Sequence, residues 1–267
     1  MDEQFEGLEL ELADGILCCR LANGPRNPLD HALHRQLERF FQELAREEDH
    51  PDVRVVVLTG SPARYFSVGG DVAGMHRRAT GQEPEIFGGL YTHGAARIIR
   101  ALLSVPFPVV AAVNGDAVGL GANLALLSDI TVMTERARIG DTHAKVGLVA
   151  GDGGAIIWPL LVGVNRAKEF LMTGNLLSGI EAERIGLVNH VFPADSFWES
   201  TMSIARNLAA MPAPAARWTK RTINQILWER LVLVLDHGLA FEAVSAKGPE
   251  HLAAVEAFLD HRATGSS

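Results

Sequence analysis

The chain has 267 residues, enough to bury a full core in one large domain or in one domain with an appendage. Hydrophobic residues make up 48% and charged residues 21%, an ordinary balance for a soluble globular protein. Lys and Arg total 24 against 32 Asp and Glu, and the resulting net charge of −8 argues against a nucleic-acid partner, which would select a basic stripe.

The acidic start Met1-Asp2-Glu3-Gln4-Phe5-Glu6 lacks the basic and apolar regions of a signal peptide, and no run approaches the roughly 20 apolar residues of a membrane span. A cytoplasmic location with no membrane partner is the expectation. Leu8, Leu10 and Leu12 alternate with acidic residues, and Asp14-Gly15 turns the chain into Ile16–Leu21, which reads as a hairpin. Cys18 and Cys19 are neighbours in that strand, so a disulfide between them is not expected. Asp30 stands as N-cap to a helix whose apolar positions are Leu33, Leu37, Phe40, Phe41 and Leu44.

A buried strand follows over 53–59, then Phe66-Ser67-Val68-Gly69-Gly70-Asp71 and a short helix near 72–79. Loop composition at 80–88 leads to a helix over 89–104 and a strand over 108–113. Asn114-Gly115-Asp116-Ala117-Val118-Gly119-Leu120-Gly121 forms a second glycine turn before a helix over 121–128. Two short strands, 130–134 and 137–139, and a polar loop over 141–152 come next. Helices are expected near 154–162, 165–173, 179–185, 195–210, 213–229, 231–247 and 249–262, with one strand at 187–191. Pro212-Ala213-Pro214 divides a core domain, 1–211, from a C-terminal helical oligomerisation region, 212–267. Leu231–Leu235 suits a helix buried at a subunit contact.

A glycine turn after an apolar strand brings backbone N–H groups to a helix start, and two of them can aim two donors at one developing oxyanion. This points to an enzyme. Four histidines, His31, His34, His76 and His93, show no ligand spacing with a Cys or carboxylate cluster, and no metal site is expected.

These motifs, together with Asn27-Pro28-Leu29-Asp30, Gly140-Asp141-Thr142-His143, Gly151-Asp152-Gly153-Gly154, Leu171-Met172-Thr173-Gly174 and 182–188, occur in an order and spacing that resembles the crotonase superfamily, the enoyl-CoA hydratase/isomerase family, over residues 5 to 262. The resemblance implies an α/β crotonase-like spiral of ββα units with a C-terminal helical region, assembled as a homotrimer or dimer of trimers. It implies an acyl-CoA thioester as substrate, coenzyme A being part of the substrate and no separate cofactor being needed. The enolate would be held by the backbone N–H groups of Gly70 and Leu120. The adenine end would lie against Ala63–Val68. The expected substrate-binding residues are Arg64, Ser67, Val68 and Asp71, with Asp71 also standing where an N-cap would.

The chain departs from the hydratase pattern at two positions. Family hydratases hold a water between two glutamates; the matching positions here are Asn123 and His143. An amide does not titrate in the relevant range, so Asn123 is available to bond a substrate group or cap a turn, but not to act as a base. The expected replacement is His143 as acid/base, with Asp152 accepting its Nδ1–H and the other nitrogen left free. Glu242 completes the set from the C-terminal region. A His/Asp/Glu combination also resembles the crotonase-fold β-diketone hydrolases, which cleave a C–C bond with activated water and release an enolate.

Overall fold

The computed structural model describes residues 5–61, 64–83 and 94–263. The expected loop at 80–88, the start of the helix at 89, Ala63 and His93 fall wholly or partly outside these residues.

The hairpin forms as its turn residues require. β1 (Leu8–Ala13) pairs antiparallel with β2 (Ile16–Leu21). Asp14 and Gly15 both take positive φ, 51° and 78°, as a type I′ turn demands. α1 (His31–Leu44) starts where the Asp30 carboxylate accepts the Leu33 N–H at 2.8 Å, and all five apolar positions read from its sequence are buried.

From β3 onward the chain repeats one device: a long strand, a short strand in a second sheet, then helix. β3 (Val55–Gly60) leads to β4 (Tyr65–Ser67), α2 (Val72–Ala79) and α3 (Ala95–Ser104). β5 (Val109–Val113) leads to β6 (Asp116–Val118) and α4 (Leu120–Leu126). β7 (Ile130–Thr134) leads to β8 (Arg138–Gly140), a single turn at His143–Val146, and α5 (Gly154–Val162). Then come α6 (Val164–Thr173), β9 (Leu177–Ser178), α7 (Gly179–Arg184), β10 (His190–Phe192) and α8 (Phe197–Ala209). The long strands and β10 form one sheet in the order β1-β2-β3-β5-β7-β10, parallel from β2 on. The short strands form the other, β4-β6-β8-β9.

Both faces of the long sheet are covered, which is why its strands read as unbroken apolar runs. Leu17, Cys19, Val56, Leu58, Ala111 and Met133 face the main core, while Cys18, Val57, Val110 and Val132 meet Phe197 and Ala205 of α8. The strands β4, β6 and β9, two or three residues each, are too short to carry a readable alternation and were not anticipated. The strand expected at 187–191 lies instead at 190–192, because Leu187 and Val188 are buried in the main core just before it.

The two helices expected at 213–229 and 231–247 are one, α9 (Ala213–Ser245), 33 residues long. Within α9 no proline follows Pro214, and the single interior glycine, Gly238, serves a close approach: a Cβ there would come 3.0 Å from the Cα of Gly151. Leu231, Leu235 and Leu239 on one side of α9 pack into the chain's own core, whereas Val232 and Leu233 stand exposed. α10 (Pro249–Ala263) then packs against α2 and the turn at His143–Val146. Leu235→Ala is expected to cost about 2–5 kcal/mol, the range for emptying a well-packed leucine site, measured as a shift of the urea midpoint. A loss under about 0.5 kcal/mol would mean that α9 is not anchored there.

No helix among the described residues is long and apolar enough to cross a membrane.

Candidate active site

The short sheet brings the two glycine turns together. β4 and β6 are parallel neighbours, so the turns at their ends emerge side by side. Gly69, with φ +76°, lies so close to the second turn that a Cβ would come 2.6 Å from the Val118 carbonyl oxygen. Gly119, with φ +56°, precedes α4.

Each turn presents one N–H. Leu29 forms a parallel bridge with Gly70, in which the Leu29 N–H donates to the Gly69 oxygen at 2.7 Å. That pattern uses the peptide groups on either side of Gly70 and turns the Gly70 N–H to the opposite side. Leu120 is the first residue of α4, so its N–H has no acceptor four residues back. The Leu120 side chain is buried in the core. A cavity of about 570 Å³ opens over these turns, lined by Val68, Gly69, Gly70, Asp71, Gly119 and His143 among others.

His143 is clamped at both ring nitrogens. Asp141 Oδ1 lies 2.5 Å from Nδ1, and Asp152 Oδ2 lies 3.1 Å from Nε2. The backbone N–H of His143 also donates to Asp141 Oδ1, at 3.2 Å. This corrects the expected pairing: the carboxylate on Nδ1 is Asp141, and Asp152 occupies the nitrogen expected to be free. The third edge of the ring faces the glycine turn, since a Cβ on Gly119 would come 3.6 Å from His143 Cε1.

Asn123 ties the carboxylates together. Its buried amide nitrogen donates to Asp141 Oδ2 at 2.9 Å and to Asp152 Oδ1 at 2.8 Å. Its oxygen accepts from Trp158 Nε1 at 3.3 Å. Asn123 therefore neither caps a turn nor reaches the cavity, as its expected roles required; all its polar atoms are engaged with the acid/base cluster. Replacing a glutamate here with an amide supplies two donors to two buried carboxylates, which a third carboxylate could not do.

Glu242 is buried on α9 beside Gly151, where a Cβ on the glycine would come 2.9 Å from Glu242 Oε2. That oxygen has no hydrogen-bond partner among the described residues. Burial first, and the charge of Asp152 second, push the Glu242 carboxyl well above the usual carboxylate range and favour its neutral form. Burial alone would push His143 down, yet the charges of Asp141 and then Asp152, with a hydrogen bond to each, hold it well above 6.5. Burial likewise works against ionised Asp141, but the charge of His143 and bonds from His143 and Asn123 leave its pKa lower than usual. These shifts favour an imidazolium between two carboxylates, with a glutamic acid behind it that favours its protonated form.

Donor atoms of Asp141, His143 and Asp152 lie within 4.8 Å of one another, a spacing a cation could use that the sequence reading did not foresee. Both imidazole nitrogens are in direct contact with carboxylate oxygens, so the trio forms a line of ion pairs.

The expected substrate-binding residues separate. Val68 and Asp71 line the cavity. The Asp71 side chain makes no cap bond to α2, though it sits at the N-cap position; it pairs instead with Arg77, at 3.3 Å. Ser67 is fully buried, its hydroxyl donating to the Asn27 oxygen at 2.7 Å and accepting from the Gly69 N–H at 3.1 Å. It shapes the turn and does not face the cavity. Arg64 lies outside the main cavity, in a separate depression with Tyr65, Arg136 and Arg138. Asp141 and Trp158 were not read as site residues. The available signal was the Asp-x-His spacing directly after a strand.

A twisted mixed α/β framework, a pair of apposed glycine turns and a buried acid/base cluster define an enzyme of the crotonase fold. The chain belongs to the enoyl-CoA hydratase/isomerase family, whose family model matches residues 11–262. It is 31% identical over 234 residues to the short-chain-enoyl-CoA hydratase of Clostridium acetobutylicum, covering 86% of this chain and 84% of that one. A solved enoyl-CoA hydratase/isomerase from Mycobacterium paratuberculosis superposes with TM-score 0.85 at 32% identity, covering 96% and 99% of the two chains. A β-diketone hydrolase from Anabaena, solved with (S)-3-oxocyclohexyl acetic acid, superposes with TM-score 0.79 at 28% identity, covering 92% and 98%.

Proposed function

We propose that this protein is an enoyl-CoA hydratase/isomerase-like enzyme that acts on an acyl-CoA thioester through an enolate. The observation that carries the reading is the apposition of the Gly70 and Gly119-Leu120 turns beside His143 in one cavity. The N–H groups of Gly70 and Leu120 receive the thioester oxygen, where negative charge grows as the enolate forms. His143 is the proton donor. Its Nδ1 stays on Asp141 at 2.5 Å, while the longer 3.1 Å contact at Nε2 opens. The water oxygen bonds to the β-carbon as the C=C electron pair moves toward the thioester oxygen, the Nε2 proton passes to the α-carbon, and the neutral imidazole left behind takes the proton that the added water sheds. Because the resting ring is already protonated, it is an acid first and a base only after that transfer.

A β-diketone hydrolase is the second reading. It is favoured by the His143/Asp152/Glu242 set and by the likeness to the Anabaena enzyme. Cleavage of a C–C bond by water also leaves an enolate, so the same N–H pair and the same proton donor serve it. No separate cofactor enters either reading. Assembly as a homotrimer or dimer of trimers, in the cytoplasm, accompanies the proposal and would cover Val232, Leu233, Phe241 and Val244, all exposed in the isolated chain.

The test follows the conjugated thioester absorbance of crotonyl-CoA, with a cyclic β-diketone in parallel. Loss of the thioester absorbance, in proportion to enzyme, is the expected result. Diketone cleavage without it would transfer the chain to the second reading, and a protein inert to both would overturn the enolate assignment.

A further inference from the structure

Next to the Gly70 turn, the lining of the substrate cavity includes one flexible side chain, Met75. Met75 on α2 reaches back so that a Cβ on Gly70 would come 2.5 Å from its methyl carbon. On its other side Met75 lines a second cavity, of about 390 Å³, between α2 and the turn from α9 to α10. Methionine is unbranched and readily repacks, so a wall made of it can yield to an occupant. The two cavities therefore adjoin at Met75, beside the Gly70 turn.

The second cavity differs in chemistry from the first. Arg78, Lys247 and His251 line it, and among the described residues none that line it is acidic. Met75 and Arg78 are three residues apart in α2 and so lie on one face of the helix. The apolar side chain meets the reacting end and the guanidinium the far end. His251 is fixed by a 2.5 Å contact from Nδ1 to the Val146 oxygen, and burial foremost lowers its pKa. The lowered pKa favours the neutral ring, and the cationic side chains at the cavity are those of Arg78 and Lys247. Two carboxylates stand nearby without lining it: Glu83, 3.7 Å from Arg78 Nη1, and Glu250 beside Gly248.

We propose that the second cavity is a subsite for the far end of the acyl group and that it selects a terminal carboxylate, so that the substrate is a thioester whose acyl chain ends in a second acid. This rests on the thioester reading given above. A fork of guanidinium donors with an ammonium beside it suits a carboxylate and gains nothing from a methyl group. It also bears on the reaction sequence: the step that supplies such a substrate must leave one carboxyl group free while joining the other to coenzyme A.

The experiment compares kcat/KM for hex-2-enoyl-CoA and for the six-carbon 2-enoyl-CoA that ends in carboxylate. The second is expected to be preferred by about tenfold or more, as one charge-assisted hydrogen bond supplies. Arg78→Met should bring the ratio of the two toward one. Lys247→Ala, at an exposed position, should lower the same ratio and keeps the test open if the arginine variant does not fold. Turnover of hex-2-enoyl-CoA without any preference for the acid, or a preference unmoved by both substitutions, would overturn the subsite alone. If neither thioester is turned over and free coenzyme A does not raise Tm, the thioester reading fails and the subsite with it.

Discussion

Replacing Gly70 with proline is expected to lower kcat by roughly 10²–10³-fold, the cost of one missing donor to a developing oxyanion. The argument lies in the peptide group rather than in any side chain. The bridge between Leu29 and Gly70 turns the Gly70 N–H away from Leu29, and proline has no N–H to turn. Gly70 is not among the residues at positive φ, so a side chain is admissible on backbone grounds. Its nearest obstacle is the methyl of Met75, the far end of a flexible chain. Gly70→Ala keeps the donor and displaces only that methyl, and it is the proper control: a loss under about tenfold is expected. Steady-state rates on crotonyl-CoA, with thermal melts to establish folding, read the comparison. Equal losses in the two variants would mean that crowding matters and the N–H does not. A folded proline variant with wild-type rates would remove Gly70 from the site.

The same turn shows what could be read from sequence and what could not. A glycine pair after an apolar strand announces a turn with open N–H groups, and both turns were legible from residue type alone. Their apposition was not. It depends on β4 and β6 pairing in parallel, and three-residue strands leave no alternation to detect. The long helices and strands were legible because each buries a face with a clear period, as α1 does through Leu33, Leu37, Phe40, Phe41 and Leu44. α9 was divided in two because its helical spacing changes neighbours along its length, from solvent to core, while nothing in the backbone interrupts it.

The acid/base cluster was partly legible for a related reason. His143, Asp152 and Glu242 stood out as chemistry-bearing residues at matching motif positions, but which nitrogen meets which carboxylate is a property of loop geometry. Asp141 lies two residues from His143, just past β8, and the turn there swings both side chains inward. In an exposed loop the same Asp-x-His would be two solvated groups. What distinguishes it is burial, and burial comes from α5, α9 and the Asn123 amide. The exchange of a glutamate for Asn123 was visible in sequence as a lost base; its gain, two donors to two buried carboxylates, needed all three partners in place.

His143 carries the second large effect. His143→Ala is expected to lower kcat by about 10²-fold or more, the order for losing a proton-transfer group. Alanine also leaves Asp141 and Asp152 buried without their cation, at a cost of about 3–5 kcal/mol, so His143→Gln serves beside it. Glutamine returns an amide N–H to a carboxylate but has no proton to transfer. The pH profile separates the two roles of the ring. His143 is held well above 6.5, so the wild-type rate should hold through neutral pH and fall as pH rises through that higher value. Neither variant should show this alkaline limb. Stability follows the same groups. The raised pKa of His143 contributes stability that is present below about 6.5 and lost as pH rises through its folded value. The depressed pKa of Asp141 contributes stability present above 3.8 and lost as pH falls through its folded value. Glu242 acts in the same direction as His143 and against Asp141, because above 4.5 the unfolded chain releases a proton that the folded chain retains, so stability declines with rising pH. Replacing Glu242 with glutamine should therefore flatten the fall in Tm between mildly acidic and neutral pH. A drop in kcat of less than threefold in both His143 variants would take the histidine out of the mechanism.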